Sequence, residues 1–168
     1  MVDLISLIAN LALTLSLIVG VVFGVAQVRT AARDRRDRLT LDSLRHFQTH
    51  EFSELMHFMI TNPSFPTNQA GFRRLPAKEQ VRLLQFAQEM ESLGLLVAEG
   101  LIDLELVDKT LGSFVTMSWS KYKKMFSDIR EKAPDPFLGE YFQWLAERIE
   151  ERMKKNPRRP FYETGSTV

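Results

Sequence analysis

Residues 4–28 read LISLIANLALTLSLIVGVVFGVAQV, 25 consecutive residues without an ionisable side chain. As an α-helix this stretch reaches about 37 Å at about 1.5 Å per residue, enough to cross a hydrocarbon layer of about 30 Å. A helix pairs its own backbone N–H and C=O groups, which is the condition lipid imposes on a spanning segment. Its polar side chains, Ser6, Asn10, Thr14, Ser16 and Gln27, are few and uncharged. Residues 1–28 are therefore expected to form a transmembrane helix. A cleaved signal peptide fits less well, because such peptides place basic residues before an apolar core of roughly 7–15 residues. Here only Asp3 precedes the core, and the core is longer. A buried helix of a soluble domain rarely runs this far without a charge.

Outward from the span comes an Arg-rich stalk, residues 29–40. Arg29, Arg33, Arg35, Arg36 and Arg38 outweigh Asp34 and Asp37, giving +3 between positions 29 and 38. Basic residues at a span end favour the cytoplasmic side. The expected topology is a single-pass protein of the inner or plasma membrane, with its N-terminus outside and residues 29–168 in the cytoplasm. The stalk arginines are expected to meet anionic headgroups of the lipid bilayer. Within the span, Ala12, Ser16, Gly20 and Gly24 recur every four residues and form one ridge of small side chains. Such a ridge lets two copies approach as a homodimer, although small residues are common in membrane helices that have no partner.

Composition excludes several classes. The 168 residues leave no room for two large domains, and the absence of cysteine removes disulfides, thiolate nucleophiles and Cys-ligated metals. A net charge of +1 argues against a nucleic-acid partner held by bulk charge. None of the 8 glycines falls in a phosphate-binding loop spacing. The mean hydropathy of −0.14 resembles that of a soluble protein, yet it sums unlike parts. An uncharged span and a basic stalk precede an acidic body, net −5 over residues 46–151, and Arg152, Lys154, Lys155, Arg158 and Arg159 then add +5.

The body, residues 41–155, carries helical spacing and no convincing period-two run. The expected fold class is all-α, one N-terminal transmembrane helix continuing into a cytoplasmic helical bundle of about four to five helices. The first helix should enter the core at Leu39, Leu41, Leu44 and Phe47. Thr49 should cap a short helix bearing Phe52, Leu55, Phe58 and Met59. Residues 61–76 hold three prolines and read as a loop. Pro76 should open a helix through Val81, Leu84, Ala87, Leu93 and Leu95 to Ala98, and Asp103 should cap a long helix from Val107 to Ile129. A final helix is expected to bury Phe137, Tyr141, Phe142, Leu145, Ile149 and Met153. Residues 156–168 read as a flexible tail, ending in a PDZ-ligand-like Ser166-Thr167-Val168.

Candidate chemistry is sparse. On an unbroken helix His46, His50, Glu54 and His57 would share one face with metal-compatible spacing, but a cap at Thr49 breaks it, and a solvated polar face is the plainer reading. Glu89 and Glu91 lie two apart and point in different directions, so they form no acid–base dyad, and Glu91 reads alternatively as a structural anchor. A hairpin about Gly100 would place Glu91 near Lys109 and Thr110, and Trp119 near Val81. No GxSxG motif or Ser–His–Asp arrangement appears, so no catalytic residue and no cofactor are expected.

An Arg-rich exit from an apolar span, the segment LTLDSLRHF, the pattern Glu91-x-x-Gly94-x-Leu96-Val97-x-x-Gly100-x-x-Asp103, then Trp119, Arg130 and FQWLAER appear in that order. This order resembles an uncharacterised, mostly bacterial family of membrane-anchored proteins, catalogued as domain of unknown function four-seven-six-zero, across most of residues 10–152. The resemblance implies a single-pass membrane protein and carries no activity to any residue. The leading functional expectation is a membrane-tethered interaction or scaffold module with a cytoplasmic protein partner. A bilayer-perturbing effector and a tethered enzyme or ligand sensor are the alternatives.

Overall fold

The computed structural model describes residues 2–63, 65–132, 135–160 and 163, apart from the side chains of Val2 and Asp3. Among the described residues are six helices and no strand: α1 (Val2–His46), α2 (His50–Thr61), α3 (Gln69–Arg74), α4 (Ala77–Ala98), α5 (Leu104–Lys132) and α6 (Glu140–Lys155). The fold is all-α, and the chain divides into two compact units, Met1–Leu39 and Thr40–Val168. The Ser166-Thr167-Val168 end lies outside the described residues.

The first unit is α1 up to Leu39. Its apolar stretch is long enough to cross a membrane, and none of it is buried. Thr14 and Thr30 donate their hydroxyls to the Asn10 and Ala26 carbonyls at 2.8 and 3.0 Å, so these polar atoms are satisfied within the helix.

The second unit opens on the end of α1. Leu39 and Leu41 point outward, contrary to the core role expected of them, and Thr40 is the buried residue at 1 % exposure. Helical spacing explains the difference: positions 40, 44 and 47 fall four and three apart and share a face, whereas 39 and 41 lie roughly 100° to either side of 40. The Thr40 hydroxyl accepts the Asp103 amide at 3.3 Å.

Side-chain spacing then builds the core. On α4 the buried large side chains are Leu83, Phe86, Met90, Leu93 and Val97, alternately three and four apart. The stripe is offset from the one expected, so Val81, Leu84 and Leu95 are exposed. Phe86 lies at the centre, with ring centroids of Phe114, Tyr122, Phe52 and Phe142 at 5.5, 5.8, 6.2 and 6.2 Å. Helix α6 packs against both α4 and α5 and buries Phe142, Leu145, Ala146 and Ile149. Phe137 precedes α6 in a turn and is exposed, as is Met153, so neither joins the core expected of the last helix.

Local signals set most boundaries. Thr49 caps α2 through its hydroxyl, which accepts the Phe52 amide at 3.3 Å. The Pro-rich loop contains a helix that sequence spacing did not reveal, α3, begun when the Asn68 side chain accepts the Gly71 amide at 2.7 Å. Gly100, at φ 69°, ends α4, while Gly100 N–H reaches Val97 O at 3.0 Å and Leu101 N–H reaches Leu96 O at 2.9 Å. That pair of bonds closes the helix end and needs the left-handed conformation glycine adopts freely. Asp103 then caps α5, its carboxylate accepting the Glu105 and Leu106 amides at 2.8 and 3.1 Å.

Candidate functional site

The start of α6 lacks a local cap, because its N-cap residue is Gly139, which has no side chain to offer. Glu91 on α4 supplies one from across the bundle. Its two carboxylate oxygens accept the Tyr141 and Phe142 amides at 3.1 and 2.8 Å, meeting two of the unpaired donors and the positive end of the helix dipole. Arg130 on α5 holds the preceding turn: its Nε and Nη2 donate to the Leu138 carbonyl at 2.9 and 2.7 Å, and its Nη1 to Gln143 Oε1 at 2.7 Å. Trp119 packs edge-on against Phe142 with centroids 5.2 Å apart. Gly94 lets α4 approach, since a β-carbon there would fall 2.2 Å from the Tyr141 carbonyl oxygen.

Of the positions that carry the family resemblance, Glu91, Gly94, Trp119 and Arg130 thus converge on one helix start, while Gly100 and Asp103 shape the α4–α5 turn. The geometry assigns these residues to architecture. Glu91 faces α6 rather than Lys109, whose ammonium pairs with Glu105 at 2.6 Å. Trp119 meets Phe126 and Phe142, and Val81 is exposed, so the expected neighbours differ although α4 and α5 do touch. Beside the Phe86 ring contacts, the Tyr122 hydroxyl links them, donating to the Leu83 carbonyl at 2.7 Å, and burial pushes its pKa well above the usual range.

The histidine set does not assemble. His46 ends α1 and brings Nε2 to 2.6 Å from Glu89 Oε2, whereas His50 begins α2 and lies 3.9 Å from Glu54. The Thr49 cap separates them, and His57 faces solvent further along α2. Among the described residues no group of three or more His, Asp or Glu is placed to hold a metal ion.

Sequence reasoning missed Asp108. This buried carboxylate lies 3.7 Å from Arg152 Nε, and Arg152 Nη2 is 4.0 Å from Glu105. The readable signal was a charge within the 104, 108, 111, 115 stripe of α5, a spacing that faces a neighbour. A cleft of about 390 Å³ opens here between α5 and the end of α6, lined by Glu105, Asp108, Lys109, Arg152, Lys155, Asn156, Pro157 and Arg158. A second hollow of about 320 Å³ shares Asp108 and Arg158 with it and continues along Gly112, Thr116 and Ile149. Beside the α6 clamp an apolar recess of about 180 Å³ is lined by residues including Phe72, Leu84, Met125 and Ile129.

The small-residue ridge and the arginines both belong to the first unit. Ala12, Ser16, Gly20 and Gly24 are exposed, and β-carbons built on the two glycines would meet nothing within 4 Å. Arg29, Arg33, Arg35, Arg36 and Arg38 are exposed along the same helix.

Together these features define an all-α protein with one long apolar helix and a separate helical unit organised around a clamped terminal helix. Residues 14–149 match the family described as Domain of unknown function (DUF4760), and the chain belongs to that family. No curated protein and no solved structure matches it.

Proposed function

We propose that this protein is a membrane-tethered helical interaction module, anchored once through residues 4–28 with residues 29–168 in the cytoplasm. The observation that carries the reading is the exposure of the whole apolar stretch of α1. A core helix of a soluble domain would be covered, and exposed apolar patches on soluble monomers seldom exceed a few hundred Å². A bilayer supplies the missing environment. The five arginines at its exit support the cytoplasmic orientation.

The open ridge of Ala12, Ser16, Gly20 and Gly24 supports a second copy as one partner within the bilayer. Helices α2–α6 give the tether a folded load, and the clefts beside α6 offer a surface for a cytoplasmic protein. The test is an alkaline-phosphatase fusion at Val168 expressed in cells, together with mass analysis of what co-purifies with the detergent-solubilised full chain. An inactive fusion and a stoichiometric partner fit the proposal. An active periplasmic fusion would reverse the orientation.

A further inference from the structure

We infer that the basic end of α6 and the turn after it, Lys154, Lys155, Arg158 and Arg159, positioned by Arg152, dock on anionic phospholipid headgroups of the bilayer that holds α1. The inference rests on the anchoring proposed above and adds a second, peripheral contact. Five cations fall between positions 152 and 159 without one acid, on a body that is net negative over residues 46–151. A plainer reading assigns basic residues in a last helical turn to the negative end of the helix dipole. It accounts for Lys154 and Lys155 but not for Arg158 and Arg159, which lie beyond the end of α6 at Lys155 and past Pro157.

Position supplies the second argument. Arg152 is held against the first turns of α5 by Asp108 at 3.7 Å and Glu105 at 4.0 Å. Two residues before Glu105, the Asp103 amide donates to Thr40 at 3.3 Å. The end of α6 and the entry of the chain into the second unit therefore lie at the same end of that unit. Arg38 is two residues before Thr40, within about 7 Å by chain reach alone. The basic end of α6 thus lies at the end of the second unit where the chain enters it, while the acidic remainder of the unit would be repelled by an anionic surface.

The reach is adequate. Residues 29–39 as helix span about 16 Å along the axis, and the headgroup layer covers about 5–7 Å of it. The connecting chain therefore lets the second unit come within about 10 Å of the headgroups, near one Debye length at moderate salt.

The chain has no cysteine, so Asn156→Cys carries a single nitroxide label in the full-length protein. The labelled protein is reconstituted in nanodiscs of phosphatidylcholine alone or mixed with phosphatidylglycerol, at low salt. The expected result is a several-fold fall in collision with a water-soluble nickel chelate in the anionic discs. That fall should be reversed by high salt and absent in Lys154→Glu/Lys155→Glu and in Arg158→Glu/Arg159→Glu, the second pair lying outside the helix. Equal accessibility in both lipids, with the protein inserted, would overturn the inference and leave the anchor intact. Failure of the unmodified chain to insert would overturn both. The same protection produced by inorganic phosphate in detergent would reassign the cleft to a small soluble anion.

Discussion

Gly94 on α4 and Tyr141 on α6 approach so closely that a β-carbon at position 94 would lie 2.2 Å from the Tyr141 carbonyl oxygen and 2.6 Å from its carbon. The obstructing atoms are backbone, and the same turn of α6 is fixed by Glu91 and Arg130, so it has little freedom to withdraw. Gly94→Ala should therefore cost about 2 kcal/mol or more, within the range for overpacking a tight contact. At Gly100 the space is open and only the φ of 69° opposes a side chain, so Gly100→Ala should cost about 1 kcal/mol. Urea denaturation of both variants checks the order, and a Gly94→Ala protein as stable as wild type would contradict the close approach.

Removing the Glu91 carboxylate leaves two amides at the start of α6 without their acceptor. Glu91→Ala should lower stability by about 1–3 kcal/mol, the cost of stranding partly buried hydrogen-bonding groups. Glu91→Gln, which keeps one acceptor oxygen, should lose less. Hydrogen exchange at Tyr141 and Phe142 reads the effect locally: both amides should exchange faster in Glu91→Ala, and unchanged protection would show that Glu91 is not the cap.

These two cases mark how far the sequence was legible. Thr49 and Asp103 could be read as caps because a cap acts within three residues of itself. Glu91 could be read as a structural anchor, but what it anchors could not, because its partners lie on α6, about fifty positions later, where no helical period reports them. Thr40 hid between two leucines that seemed better core residues, and the hydroxyl was buried because Asp103 needed an acceptor for its amide. Phe137 looked like core by composition, yet the helix start falls at Glu140, after the turn that Arg130 holds through the Leu138 carbonyl. Asp108 gave only the faint signal of a charge in an apolar stripe, and the cation that meets it comes from the far end of the chain.

Asp128 offers a test by pH. The Gln69 amide, and after it Lys132, hold its carboxyl below the ordinary value of 3.8. A depressed folded value means the stabilisation is fully present above 3.8 and is lost as pH falls through the lower folded value. Asp128→Asn keeps an acceptor for Gln69 and removes the charge. The stability difference between wild type and this variant should hold steady at neutral pH and shrink in acid. A difference that grows on acidification would have the wrong sign.

On the apolar stretch of α1, Gly20→Ile places a branched side chain on the open ridge beside Gly24. If that ridge joins two copies, crosslinked dimer in native membranes should fall several-fold, while Val22→Ile, two positions away, should leave it unchanged. Equal dimer in wild type and Gly20→Ile would leave the ridge without a packing role.

The central claim is that residues 4–28 hold the protein in a membrane, and alkaline carbonate extraction followed by intact-mass measurement tests it most directly. The expected result is full-length chain in the washed membrane pellet, with residues 1–28 retained, and release into the supernatant once residues 4–28 are deleted. Full-length protein in the supernatant, or a product cleaved after the apolar stretch, would contradict it.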